Sequence, residues 1–247
     1  MFLVTGPTGS GKTVSLYTGI NILNKADINI STAEDPVEIN LPGVNQVQID
    51  EKTGMDFPKA LKAFLRQDPD IILVGEIRDI TTGGIAVKAA QTGHMVMSTL
   101  HTNDGPQTLT RLQDMGVQSF AVATSINLIT AQRLLRRLNP DNRVEIEMPD
   151  DALRKEDFPE EMIKAGMQLY GPGEETEENP GYKGRAGIYQ VMPISEDLKR
   201  LIIEEANAVQ LADQAAKEGV WDIRRSGLQK VADGITSLAE VNRVTVE

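Results

Sequence analysis

The run Gly6-Pro7-Thr8-Gly9-Ser10-Gly11-Lys12-Thr13 constrains this chain more than any other. It fits the pattern G-x-x-x-x-G-K-[ST], and its neighbours supply the context such a loop needs. Ahead of it, Phe2-Leu3-Val4-Thr5 is a short apolar run of the kind that forms a buried strand. Behind it, residues 12–25 place apolar side chains at helical spacing. A strand, a glycine loop and a helix in that order make a phosphate cradle. The glycines let backbone N–H groups turn inward, and the helix aims its positive end at the anion. Lys12 is expected at the β- and γ-phosphates of a nucleotide, and the Thr13 hydroxyl at Mg²⁺.

The remaining pattern predicts an α/β fold with a mainly parallel sheet. Residues 28–32 read as a second strand, 44–49 as a half-buried strand, and 57–66 as a helix stopped by Gln67-Asp68-Pro69. Residues 70–74 are strongly apolar, as in a central parallel strand. A helix over 81–92, a buried strand over 95–100 and helices over 105–115 and 119–135 follow, with Met95 and Met97 as core fillers. A strand is expected over 183–191, and helices from Ser195 onward.

Three carboxylates stand at predicted strand ends. Glu76 closes Ile71-Ile72-Leu73-Val74-Gly75-Glu76, where open α/β sheets bind ligands; it either serves the metal or only pairs with Arg78. Glu34 and Asp35 follow the second strand, either as two acids dividing Mg²⁺ and water between them or as an acidic turn before Pro36. The two histidines, His94 and His101, bracket the strand over 95–100. An imidazole there either donates to a γ-phosphate or is a satisfied structural residue. Arg133, Arg136 and Arg137 form a helix C-terminal surface or a subunit contact.

Composition excludes several classes. There is no cysteine among 247 residues, so disulfides, thiolate zinc sites, iron–sulfur clusters and a cysteine nucleophile are out. The net charge of −11 argues against a nucleic-acid binder. Residues 139–180 hold 13 acidic and 4 basic side chains, a net of −9, which leaves −2 for the rest. The acid is therefore local, as in a solvated insertion. No run approaches the ~20 apolar residues of a membrane span, and the first residues lead into the glycine loop instead of a cleavage site. The chain reads as cytosolic, with any membrane attachment made through a partner.

At these residues the chain resembles the secretion-ATPase superfamily, which powers type II secretion, type IV pili and related machines. The glycine loop, Thr32 to Glu38, Gly75 to Asp79 and Thr99 to Thr102 look like its Walker A, Asp box, Walker B and His box. Arg224-Arg225-Ser226-Gly227 through Ile235-Thr236-Ser237-Leu238 resembles its C-terminal helical signature, so the likeness covers nearly the whole chain. Ser31-Thr32-Ala33-Glu34-Asp35-Pro36-Val37-Glu38-Ile39-Asn40-Leu41-Pro42-Gly43 is similar to the pilus-extension motors. The insertion, with Gly181-Tyr182-Lys183-Gly184-Arg185 after it, separates the chain from retraction motors, which lack it.

The resemblance implies a RecA-like ATPase core over 1–138, an acidic insertion and strand or hairpin region over 139–194, and a C-terminal helical subdomain over 195–247. It implies ATP and Mg²⁺, with Glu34 as general base or water-positioning acid, Asp35 beside it, and Thr13, Glu76 and Asp35 toward the metal. His101 would contact the γ-phosphate region, with His94 and Arg78 supporting the site. It further implies a homo-hexamer in the full-length protein and an inner-membrane platform protein that inserts pilin, with no nucleic acid and no direct membrane insertion. The motor would be cytoplasmic, peripheral to the inner membrane through its partners. A type II secretion motor and a catalytically weak docking module are the alternatives.

Two departures from the family stand out. Family members usually carry two C-x-x-C pairs that bind a structural zinc in the insertion; the matching positions here are Asn139, Asn142, Glu174 and Glu177. Those residue types do not build a tight zinc site, so no zinc is expected, and the insertion is held by packing or left partly disordered. Family members also carry an N-terminal domain that contributes arginines to the γ-phosphate. The chain starts at the strand before the glycine loop and is expected to be a fragment of a longer protein, so weak hydrolysis by this chain alone is expected, with Arg66, Arg78 and Arg133 as unranked candidates for contacts between subunits.

Overall fold

The computed structural model describes residues 1–246. The chain runs through β1 (Phe2–Thr5), α1 (Lys12–Leu23), β2 (Ile30–Glu34), β3 (Asn45–Gln48), α2 (Phe57–Phe64), β4 (Ile71–Val74), α3 (Ile80–Gln91) and β5 (Met95–Leu100). It continues through α4 (Gly105–Asp114), α5 (Ser119–Ser125), β6 (Leu128–Leu138), β7 (Arg143–Ile146), α6 (Asp150–Lys155), α7 (Glu160–Lys164) and β8 (Leu169–Pro172). The last elements are β9 (Tyr182–Pro193), α8 (Glu196–Ile203), α9 (Ala208–Lys217), α10 (Ile223–Ala232) and α11 (Leu238–Thr245).

The main sheet has the order β3-β2-β4-β5-β1-β6-β9. The neighbouring strands from β3 to β6 pair parallel. The expected α/β architecture is therefore present. Its strands alternate between two covered faces, which explains the unbroken apolar runs. Leu3, Ile72, Val74, Val96 and Leu100 pack with α2, α3, α4, α5, α8 and α9. Val4, Ile71, Leu73 and Met97 pack with Leu16, Tyr17 and Ile20 of α1. Acidic caps start the helices on time: Asp56, Asp79 and Asp104 accept from Lys59 N, Thr82 N and Gln107 N.

Two expectations need correction. The helix expected over 119–135 ends at Ser125, and residues from Leu128 form β6. Leu3 pairs with Ile129 and Thr5 with Ala131, so β6 completes the outer side of β1. Pairing there overrides the helix-favouring Leu, Gln and Arg content of the segment. Arg133, Arg136 and Arg137 consequently lie on a strand, not at a helix end. Met97 is buried, but Met95 is 41% exposed and fills no core.

The compact units do not follow a linear division at 138 and 194. The first comprises residues 1–131 and 191–220, the second 132–190 and 221–247. Helices α8 and α9 thus belong with the first, α10 and α11 with the second. Both β6 and β9 pass from one unit into the other.

Within the second unit the acidic segment takes defined structure. β7 and β8 pair antiparallel, with Arg143 opposite Pro172 and Ile146 opposite Leu169. The Asn139 side chain is buried and donates to Asn179 Oδ1 and the Pro180 carbonyl, 2.9 Å each. Asn142 donates to the Glu174 carbonyl at 2.9 Å and the Asn179 carbonyl at 2.7 Å. Two of the residues that stand at the zinc-ligand positions thus tie the ends of the insertion together through amides. Elsewhere in this unit, Glu240 on α11 is fully buried and accepts from Arg136 and Arg243 at 2.6–3.0 Å. Arg136 also stacks over the Tyr182 ring, 4.1 Å from its centroid.

Candidate functional site

Sheet register places the candidate residues. Thr5 lies opposite Leu100, Val74 opposite Ser98 and Ala33 opposite Val74. The chain segments that leave β1, β2, β4 and β5 therefore emerge together at the carboxyl edge. That edge receives the glycine loop, Glu34 with Asp35, Glu76 with Arg78, and His101. Gly75 is what brings two of these close. Its N–H donates to the Ala33 carbonyl at 2.8 Å, and a Cβ there would stand 3.1 Å from that oxygen and 3.3 Å from Glu34 Cα.

The loop has the geometry of an anion cradle. Gly9 and Gly11 adopt φ of 79° and 89°, which side chains resist. The Ser10 hydroxyl is buried without a hydrogen-bond partner. Lys12 Nζ donates to the Gly6 and Pro7 carbonyls at 2.8 and 3.1 Å, so the ammonium lies over the loop itself. Thr13 is the second residue of α1, at the helix's positive end. An orphaned hydroxyl, left-handed glycines and a cation folded over the loop fit a nucleotide's phosphates.

Across from the loop, Arg78 Nη2 forms a tight ion pair with Glu76 Oε1, and Nη1 lies 4.0 Å from Asp35 Oδ2. His101 Nε2 is 3.7 Å from Glu76 Oε2. Burial, then the nearby Lys12 charge, hold the His101 imidazole below its ordinary titration range, although Glu76 opposes this. His101 is therefore neutral near pH 7. The pairing of Glu76 with Arg78 is real, and any metal role for Glu76 requires the arginine to share or leave that carboxylate.

Glu34 is 3% exposed and its carboxylate is held from three elements. Thr32, two residues back on the same strand face, donates to Oε1 at 2.6 Å, and Gln46 Nε2 donates to the same oxygen at 3.2 Å. The Tyr17 hydroxyl of α1 donates to Oε2. Burial and that carboxylate push the Tyr17 phenol up to about 12, so it keeps its proton. Sequence reading missed Tyr17 and Gln46, and gave Thr32 no role beyond its place in the Asp-box stretch. Tyr17 carried a faint signal, a polar tip on the buried face of the helix that follows the loop.

His94 is not brought to this edge. It precedes β5, whereas His101 follows it, so roughly 20 Å of strand separates them. Its Nδ1 is 3.0 Å from the Ala89 carbonyl at the end of α3. Among the described residues no cluster of three or more His, Cys, Asp or Glu side chains is arranged to hold a metal by itself.

The edge so built is that of a phosphate-handling α/β protein, and the likeness to known proteins is extensive. The family model described as "Type II/IV secretion system protein" matches residues 1–243. The chain belongs to this family. The type IV pilus assembly ATPase PilB of Pseudomonas aeruginosa is 62% identical over 99% of this chain and 43% of its own length. The type II secretion system ATPase E of Vibrio cholerae is 44% identical over all of this chain and 48% of its own. The chain thus spans less than half the length of the curated relatives it matches. Among solved structures, the pilus retraction motor PilT with bound ADP superimposes with a TM-score of 0.74 at 26% identity, covering all of this chain and 61% of that one. No helix among the described residues is long and apolar enough to cross a membrane.

Proposed function

We propose that this chain is the ATP-hydrolysing motor domain of a type IV pilus assembly ATPase. The observation that carries the proposal is the convergence of Lys12, Glu34 and Glu76 on one sheet edge, in a chain 62% identical to a pilus assembly ATPase. Mg-ATP is the substrate. The loop from Gly6 through Pro7, Thr8, Gly9, Ser10 and Gly11 to Thr13 would wrap the phosphates, and Lys12 would leave its two carbonyls for the β- and γ-phosphates. Thr13, Asp35 and Glu76 would face Mg²⁺. Glu34 would orient and deprotonate the attacking water, and His101, neutral at working pH, would donate toward the γ-phosphate. In this reading the neighbouring copies form a hexamer, and the work is delivered to a pilus platform protein at the inner membrane.

Lys12→Ala tests the enzyme assignment in the protein that carries this chain. Turnover should fall by about 10²–10³-fold, as when a charged donor to a developing anion is lost. Equal ATPase rates in variant and parent would leave only a nucleotide-binding docking module. A type II secretion motor is the second reading, since the Vibrio cholerae ATPase is 44% identical. Capture of a pilus platform protein, against a type II secretion platform, separates the two.

We further propose that the insertion holds no structural zinc. The support is that the amides of Asn139 and Asn142 are spent on Asn179, Pro180 and Glu174. Elemental analysis of purified protein should find zinc far below one per chain. Stoichiometric zinc that survives dialysis refutes this.

A further inference from the structure

We propose that Tyr17 is a positioning residue for hydrolysis: with Thr32 and Gln46 it fixes the Glu34 carboxylate so that one acceptor site remains for the attacking water. The proposal rests on the assignment of Glu34 as the water-activating base. A carboxylate offers about four acceptor sites over its two oxygens. Thr32 and Gln46 both donate to Oε1, and Tyr17 donates to Oε2. Three sites are taken, and the fourth lies on the oxygen that Tyr17 touches. The phenol therefore decides both the rotation of the carboxylate and the direction of its remaining lone pair.

The clamp reaches beyond Glu34. The Tyr17 oxygen accepts from the Glu38 N–H at 3.2 Å. Gln46 accepts from Leu41 N at 2.6 Å and donates to the Ile39 carbonyl at 3.0 Å. The side chains that aim Glu34 thus also pin the segment that follows Asp35. Tyr17 stands four residues after Thr13 on α1, so the helix that begins at the phosphate loop carries the part that aims the base. Binding and water activation share one rigid element.

The test separates aiming from folding. Tyr17→Phe keeps the ring in its core position and removes the donor. It should lower kcat by about 10- to 100-fold, the scale of a small misplacement. Its Kd for ADP should stay at the parental value, and its melting temperature should fall only by the few degrees that a lost hydrogen bond accounts for. Thr32→Val removes the hydroxyl that donates to Glu34, and should likewise lower kcat without changing the Kd for ADP. In a Glu34→Gln background, single-turnover measurements should find that Tyr17→Phe adds less than about twofold, because the group it aims is gone. A Tyr17→Phe variant with parental kcat, a loss that tracks nucleotide affinity, or a full loss repeated on top of Glu34→Gln each overturns the proposal. Parental turnover in Glu34→Gln alone removes the base assignment, and the positioning role with it.

Discussion

Glu34→Gln should stop turnover while leaving nucleotide in place. The substitution keeps the shape of the side chain and removes its capacity to take a proton, so kcat should fall by about 10²–10⁴-fold, the usual weight of general base catalysis. Nucleotide affinity should hold, because Glu34 faces Tyr17, Thr32 and Gln46, whereas the loop that cradles phosphate begins at Gly6. ADP binding followed by calorimetry, beside ATPase rates on the same preparation, gives both readings. A variant that loses affinity in step with rate would place Glu34 among the binding groups instead. Asp35→Asn is the companion. It should weaken the Mg²⁺ dependence of turnover, whereas Glu34→Gln should leave that dependence unchanged.

A comparable effect on stability is expected at Glu240. Burial pushes this carboxyl up, but hydrogen bonds from Arg243 and Arg136 outweigh it and bring it down to about 2 from an ordinary 4.5. Removing one partner of a buried pair costs about 3–5 kcal/mol. Glu240→Ala should fall near 3, since both guanidiniums are about half exposed and reach water, while the carboxylate is 0% exposed. The loss should appear as a midpoint lowered by roughly 6–12 °C. The sign with pH follows from the depressed value. The stabilisation is whole above the unfolded value of 4.5 and fades as pH falls toward about 2. The gap between parent and variant should therefore shrink across that window. A gap unchanged between pH 7 and pH 3 would trace the loss to packing.

The phosphate loop and the acids at strand ends were legible because chemistry there demands contiguous residue types. Gly6 to Thr13 is one unbroken stretch, and Glu76 announces itself by the apolar run before it. The clamp on Glu34 was not legible. It joins α1, β2 and β3, and no local pattern records that three elements meet on one carboxylate. β6 failed for a related reason. Its Leu, Gln and Arg content favours a helix, and only the open side of β1 turns it into a strand. His94 and His101 look alike in sequence, yet a strand separates a residue at the carboxyl edge of the sheet from one at the opposite end.

The amide tie at the base of the insertion has a consequence for where this protein's robustness resides. A structural zinc in a small domain is worth about 10–16 kcal/mol, whereas a hydrogen bond contributes about 1. Four amide bonds from Asn139 and Asn142 do not approach the former. The segment must therefore rely on its own apolar side chains, Leu153, Phe158, Ile163 and Leu169, which are all buried. With no zinc in the insertion, as proposed, chelators should leave the melting temperature of this segment unchanged. Its cohesion would then rest on packing and amide hydrogen bonds that neither metal supply nor thiol chemistry can switch.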